Sequence, residues 1–324
     1  VISQHDVEAT QESVAALRSE VAQVIVGQKH LVDLTLSALL CGGHLLIEGV
    51  PGLGKTLLAR TVSAAMGLSH SRVQCTPDLM PADIVGTNVF LPEEGAFRFV
   101  PGPLFANAVL ADEVNRATPK TQAALLEAMQ EHQVTVAGTT HELHPPFIVL
   151  ATQNPIEMEG TYPLPEAQVD RFLFKAEVKM PPRDDLLEIT RRYGAQSTPS
   201  VNPVMSREQV LLAQQVVASY AVPEPLMDYA VRLVLAAHPR RSGTPELVND
   251  FVQYGPSPRG TLALVWSAKA QAFLDGRYHV TVDDLRRAVR PALVHRVLLN
   301  FRGEAEGVTP ADVLESVVSS VRAP

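Results

Sequence analysis

The sequence predicts an α/β fold built on a parallel sheet covered on both faces and followed by a smaller, all-helical region. Three observations predict it. Short, near-continuous apolar runs alternate with helical stretches through the first half, the pattern of strands buried on both faces. One of the intervening turns, Gly49–Thr56, is glycine-rich and opens directly into a helical stretch. Beyond Pro181-Pro182 the apolar runs cease and only amphipathic helical segments continue.

Two helical segments open the chain, about Val7–Ile25 and Gln28–Cys41, separated by Gly27. Their apolar residues recur at helical spacing, as at Val14, Leu17, Val21 and Val24. The strand–helix alternation then runs Leu45–Glu48 and Lys55–Met66, Val109–Asp112 and Pro119–Gln130, Phe147–Thr152 and Pro165–Arg171, and finally Phe172–Val178. Two stretches break it. Thr87–Pro101 predicts a hairpin turning at Pro92–Gly95, and Gln133–Leu143 another turning at Gly138. Hairpins inserted into an α/β domain are expected at the surface, where loops carry partner contacts.

In the second half the expected helices are Asp184–Tyr193, Arg207–Ser219, Glu224–Ala237, Pro258–Asp275 and Val282–Leu299. Ser206 with Gln209, and Thr281 with Asp284, read as capping boxes. Ser257-Pro258 places a capping residue before a first-turn proline. A boundary is expected near Pro181, dividing residues 1–181 from 182–324, with Gln196–Pro203 an exposed connection. A chain of 324 residues suits about two domains.

Composition narrows the function classes. No apolar run approaches the ~20 residues of a membrane helix, and no basic-then-apolar segment opens the chain, so no membrane insertion is expected and cytoplasm is the expected compartment. Cys41 and Cys75 lie too far apart for metal-ligand spacing and are expected to be buried thiols. The ten His residues show no metal-binding spacing. A formal net charge of −8 weighs against a nucleic-acid-binding surface.

The chemistry is carried by two segments. Gly49-Val50-Pro51-Gly52-Leu53-Gly54-Lys55-Thr56 matches G-x-x-x-x-G-K-[ST] without a departure. Gly49, Gly52 and Gly54 let the backbone wrap phosphates, whose charge the following helix N-terminus favours. Lys55 is expected on the β/γ-phosphates and the Thr56 hydroxyl on Mg²⁺. Pro51, Leu53 and Leu57 complete the expected nucleotide contacts. Ala108-Val109-Leu110-Ala111-Asp112-Glu113 is an apolar strand ending in two acids, which delivers carboxylates to the carboxyl edge of the sheet. Asp112 is expected in the Mg²⁺ shell and Glu113 on the attacking water.

These segments resemble the MoxR family of AAA+ ATPases. Besides Gly49–Thr56, the resemblance rests on Gln74-Cys75-Thr76-Pro77-Asp78-Leu79-Met80-Pro81-Ala82-Asp83 with Gly86, on Asp112–Ala117 followed by Gln122–Met129, on Ala151-Thr152-Gln153-Asn154-Pro155, and on Leu164–Phe172. It extends from Val26-Gly27-Gln28 to Ser257-Pro258-Arg259-Gly260, most of the chain. The resemblance implies an AAA+ αβα sandwich with hairpin insertions and a helical lid. It further implies that Val26 and Gly27 line the adenine pocket, and that Asn154 is the sensor-1 residue. Arg171 is then the arginine finger for a neighbouring subunit's ATP, and Arg259 the lid arginine that contacts the γ-phosphate. Arg259 sits in the first turn of a helix, where a cation opposes the helix dipole unless an anion is near.

The resemblance implies a Mg²⁺-dependent ATPase acting as a homo-oligomeric ring, expected to be a hexamer, that remodels or matures a client protein. Family members commonly act alongside proteins with a von Willebrand factor A domain and in metal-cofactor insertion. Two alternatives stand beside this reading. One is the motor subunit of a magnesium-chelatase-like complex. The other is a nucleic-acid-associated ring ATPase, disfavoured by the charge and by the lack of a basic tract interleaved with aromatics.

Overall fold

A computed structural model of the chain describes residues 2–154, 161–194 and 200–324. Pro155 of the expected sensor segment and residues 196–199 of the expected Gln196–Pro203 connection lie outside them.

The chain begins with α1 (Gln4–Val24) and α2 (Lys29–Leu40), then enters β1 (Leu45–Glu48), α3 (Lys55–Ala65), β2 (His70–Gln74) and the short α4 (Pro81–Val85). A hairpin of β3 (Gly86–Leu91) and β4 (Ala96–Pro101) precedes β5 (Ala108–Asp112) and α5 (Pro119–Glu131). A second hairpin, β6 (Gln133–Val136) and β7 (Thr139–Glu142), leads to β8 (Ile148–Gln153), α6 (Glu166–Val169) and β9 (Phe174–Glu177). The second half contains α7 (Arg183–Tyr193), α8 (Arg207–Ser219), α9 (Glu224–Ala236), α10 (Glu246–Phe251), β10 (Val252–Tyr254) and α11 (Pro258–Leu274). It ends with α12 (Val282–Leu293), β11 (Leu298–Leu299), α13 (Phe301–Ala305) and α14 (Pro310–Ser320).

Five strands form one parallel sheet in the order β2-β5-β8-β1-β9. Successive residues feed opposite cores, as the period of a strand requires. Leu45 and Ile47 face one core together with Leu110 and Leu150, while Leu46 faces the other with Val109 and Val149. Both faces are therefore covered, which is why these strands are near-continuous apolar runs. The first core reaches beyond the sheet. Leu17 of α1 and Leu36 of α2 share it with Val216 of α8 and Phe273 of α11.

Strand β2 escaped the sequence reading for a physical reason. It is an edge strand, paired only with β5, and of its five residues only Val73 is buried. The helical half departs from expectation in several places, among them the short helices α10 and α13, which were not expected. Strands do not cease after Pro181, because β10 and β11 form a small antiparallel pair. The expected helix Val282–Leu299 stops at Leu293, where the chain turns so that His295 and Arg296 can bond to carbonyls near β9. Helix α14, with a Thr309–Asp312 capping box and Pro310 at its first position, carried a start signal that the reading passed over.

Of the two thiols, Cys75 is buried but Cys41 is only half-buried, its Sγ donating to the Trp266 carbonyl at 3.3 Å. Burial pushes both up to about 12, which leaves them protonated and unreactive. Among the described residues, no helix is long and apolar enough to cross a membrane.

Candidate active site

The glycine loop follows β1 and opens α3. Gly52 and Gly54 have φ of 86° and 79°, the left-handed region that glycine enters without strain. Gly49 is needed for a different reason. A Cβ there would lie 2.9 Å from the Val178 carbonyl oxygen, so the loop's first glycine permits the close approach of the chain leaving β9. Lys55 is buried, and its Nζ donates to the carbonyls of Gly49 at 2.6 Å and Val50 at 3.2 Å. Burial lowers its pKa, and the charges of Asp112 and Glu113 oppose that shift. The lysine and the two acids therefore share one electrostatic environment. Thr56 follows in the first turn of α3, half-buried.

Beside the loop is a cavity of about 300 Å³ lined mainly by apolar side chains. Val26 and Gln28 form one wall, and Gly52, Leu53, Gly54 and Leu57 another. Gln28 ties the walls together by donating from Nε2 to the Leu53 carbonyl at 2.8 Å. Gly27, at φ 72°, faces α7 so closely that a Cβ would meet the Asp185 carboxylate. The remaining wall, Met180, Pro181, Leu186, Ile189 and Tyr193, was not foreseen. Its signal was present as the helically spaced apolar residues of α7. Tyr193 secures that helix by donating to the Val24 carbonyl at 2.7 Å. The cavity suits a flat, apolar base.

Asp112 ends β5, the sheet's second strand, and Glu113 follows it directly. Glu113 adopts left-handed φ and ψ of 57° and 51°, which is strained for a side-chain-bearing residue. Thr152 of β8 holds it there. This residue is 1% exposed; its Oγ1 accepts from the Glu113 N–H at 2.9 Å and donates to Asp112 Oδ1 at 2.6 Å. One hydroxyl thus fixes both acids. Asp112 also pairs with Arg72 at 2.7 Å, and Glu113 accepts from Gln74 at 3.1 Å and Arg116 at 3.0 Å. Thr152, Gln74 and Arg72 were not named as site residues, because their role appears only when β2, β5 and β8 are set side by side.

Thr152→Val keeps the shape and removes both hydrogen bonds. A bond to a charged group is worth about 1.5–3 kcal/mol, and about 1.4 kcal/mol of lost orientation is tenfold in rate. Steady-state kinetics should therefore show kcat reduced about tenfold or more, with ATP affinity nearly unchanged. An unchanged kcat would show that Thr152 serves folding alone.

The remaining candidates lie apart from the base cavity. Asn154, buried at the end of β8, lines a second cavity of about 370 Å³ with Asn115, Thr161 and His295. Arg171 donates from Nη1 to the Leu126 carbonyl of α5 at 3.0 Å. Arg259, in the first turn of α11, lies 3.7 Å from Asp170 Oδ2. The same oxygen accepts from Ser257 Oγ, which also caps α11, at 2.8 Å. Asp170, the residue before Arg171, is thus an anion beside Arg259 at the start of α11.

Comparison with known proteins bears on the family and the fold. The family model described as "ATPase family associated with various cellular activities (AAA)" matches residues 44–174, and an AAA lid domain model matches residues 245–317. Chaperone MoxR1 of Mycobacterium tuberculosis is 42% identical over 306 residues, covering 94% of this chain and 81% of that protein. Protein MoxR of Methylorubrum extorquens is 31% identical over 331 residues, covering 97% and 96%. The chain belongs to the MoxR family of AAA+ ATPases. YeaC of Bacillus subtilis, an uncharacterised protein, is 40% identical to this MoxR-family chain over 303 residues, covering 93% and 92%. A crystal structure from Cytophaga hutchinsonii, given as a candidate ATPase, superposes with a TM-score of 0.94 at 39% identity, covering 99% and 98%. The MoxR-family chain hydrolyses ATP. Its parallel sheet covered by helices and its lid domain are those of the family.

Proposed function

We propose that the chain works as a ring in which each ATP is bound by one subunit and completed by the next. The observation that carries this is the separation of two groups of residues. The glycine loop, base cavity and paired acids assemble within one chain, whereas Arg171 bonds to α5 and Arg259 pairs with Asp170, and neither arginine lines that cavity. We therefore move Arg259 from the chain's own γ-phosphate to the same edge as Arg171, as a second cation offered to the neighbour. Asn154, at the end of the strand beside the acids, is assigned to the γ-phosphate side of its own site.

The Thr56 hydroxyl and the Asp112 carboxylate form an oxygen-only donor set that fits Mg²⁺, and these two residues would hold it. The ion, when bound, neutralises phosphate charge. Glu113, set by Thr152 and Gln74, orients water for in-line attack and accepts its proton. Helices α7–α14, beyond the boundary near Pro181, then form the lid. ATPase activity per subunit should rise cooperatively with protein concentration. A rate independent of concentration would mean that one chain is self-sufficient.

The client-contacting element is the β3–β4 hairpin. Its root is pinned, because Phe99 stacks on His141 of β7 with ring centroids 3.8 Å apart. Its tip is not. Phe90 and Phe97 pair across the strands yet are 50% and 71% exposed. Exposed apolar clusters of this kind mark interaction surfaces. The β6–β7 hairpin, in contrast, exposes threonines. A Phe90→Ser, Phe97→Ser variant should keep its basal ATPase while losing stimulation by an unfolded model polypeptide. Undiminished stimulation would move the contact elsewhere.

A further inference from the structure

We propose that Arg296, in the turn after α12, is a positioning residue that presents Arg171 to the neighbouring subunit's nucleotide; the proposal rests on the shared-site reading above. Arg296 has a side chain only 3% exposed. Its Nε donates to Asp170 Oδ1 at 2.7 Å, and its Nη2 to the carbonyls of Asp170 at 2.9 Å and Phe172 at 2.7 Å. Its Nη1 donates to the Leu173 carbonyl at 3.2 Å and to that of Ala292 in α12. The adjacent His295 bonds to the Phe172 carbonyl as well, at 3.0 Å.

The guanidinium therefore grips the backbone on both sides of Arg171 and leaves the Arg171 side chain alone. The other side of Asp170 is held by Ser257 at the start of α11. The cap of α11 and the turn after α12 thus clamp the residue that precedes Arg171.

Burying a guanidinium costs a great deal unless its donors are met, and apolar packing could close this gap with less. What apolar packing cannot do is fix three carbonyls of one tetrapeptide at once. The planar fork of arginine can, and the flexible ammonium of lysine cannot. Such fixation matters where a side chain must meet a reacting phosphate, since a displacement of about 1 Å can cost about 10²-fold in rate. Arg296 thereby also couples the lid of one subunit to the chemistry of the next.

Arg296→Lys keeps a charge opposite Asp170 and removes the fork. Asp170→Asn removes the carboxylate from its more exposed end and carries the same expectation should Arg296→Lys fail to fold. Each variant alone should bind ATP, assemble, and lose about 10²-fold in ATPase rate. Each is then assembled together with an equal amount of Lys55→Ala, which has an intact Arg171 segment but a disabled glycine loop.

If the defect lies in what a subunit offers its neighbour, about a quarter of the wild-type rate should return, because half the sites are intact and half of those face an intact Arg171. A wild-type rate for both variants alone would overturn the proposal. So would no recovery on mixing, when a parallel mixture of Arg171→Ala with Lys55→Ala does recover. If that parallel mixture also stays inactive, the shared-site reading itself is wrong and the role of Arg296 falls with it.

Discussion

Arg171→Ala should lower the ATPase rate about 10³-fold or more while leaving ATP binding intact. The reason is positional. Among the described residues the Arg171 side chain bonds to the Leu126 carbonyl of α5, and the base cavity is lined by other residues. Removing it should therefore spare nucleotide affinity, measured by equilibrium titration. It should remove the cation that stabilises charge developing on the transferring phosphoryl group. Arg171→Lys should recover little, because a point charge on a flexible stem does not reproduce a planar fork. An alanine variant with a normal rate would confine Arg171 to holding α5.

The second large effect belongs to Glu113. Glu113→Gln should reduce kcat by about 10²–10⁴-fold, the range of a positioned general base, with nucleotide retained. The substitution is nearly isosteric. The strained backbone of residue 113 is held by Thr152 through the main chain, independently of the side chain, so the loop geometry should survive. A fall in kcat with unchanged ATP affinity marks the loss of an interaction made only in the transition state. Single-turnover measurements of phosphate release would show it directly, and an equal loss of ATP affinity would argue that Glu113 works in binding instead.

The sequence revealed the parts of the site whose chemistry is local. A phosphate cradle needs glycines, a lysine and a hydroxyl within eight consecutive residues, so Gly49–Thr56 announces itself. The central strands were equally legible, because burial on both faces leaves no polar residue to interrupt Leu45–Ile47 or Val109–Ala111. What stayed hidden depends on residues distant in the chain. Thr152 meets Asp112 across 40 positions, and Arg296 meets Asp170 across 126. Nothing in either segment taken alone distinguishes a threonine in a strand, or an arginine after a helix, from its many ordinary counterparts. For Arg259 the helix start at Ser257-Pro258 was legible in the sequence, whereas its pairing with the distant Asp170 was not.

The apolar core that Leu17 and Leu36 share with Val216 and Phe273 bears on how such a machine can move. Opening a hinge between the sheet and helices α8 and α11 would draw that core into water, at about 25 cal/mol for every Å² of apolar surface exposed. The low-cost motion inside a subunit is a slight sliding of packed helices, a shear and not a swing. Larger displacements belong where no continuous core exists, at the joints between subunits of the proposed ring. Each chain would then turn as a nearly stiff lever, with its compliance placed where its neighbour's nucleotide lies.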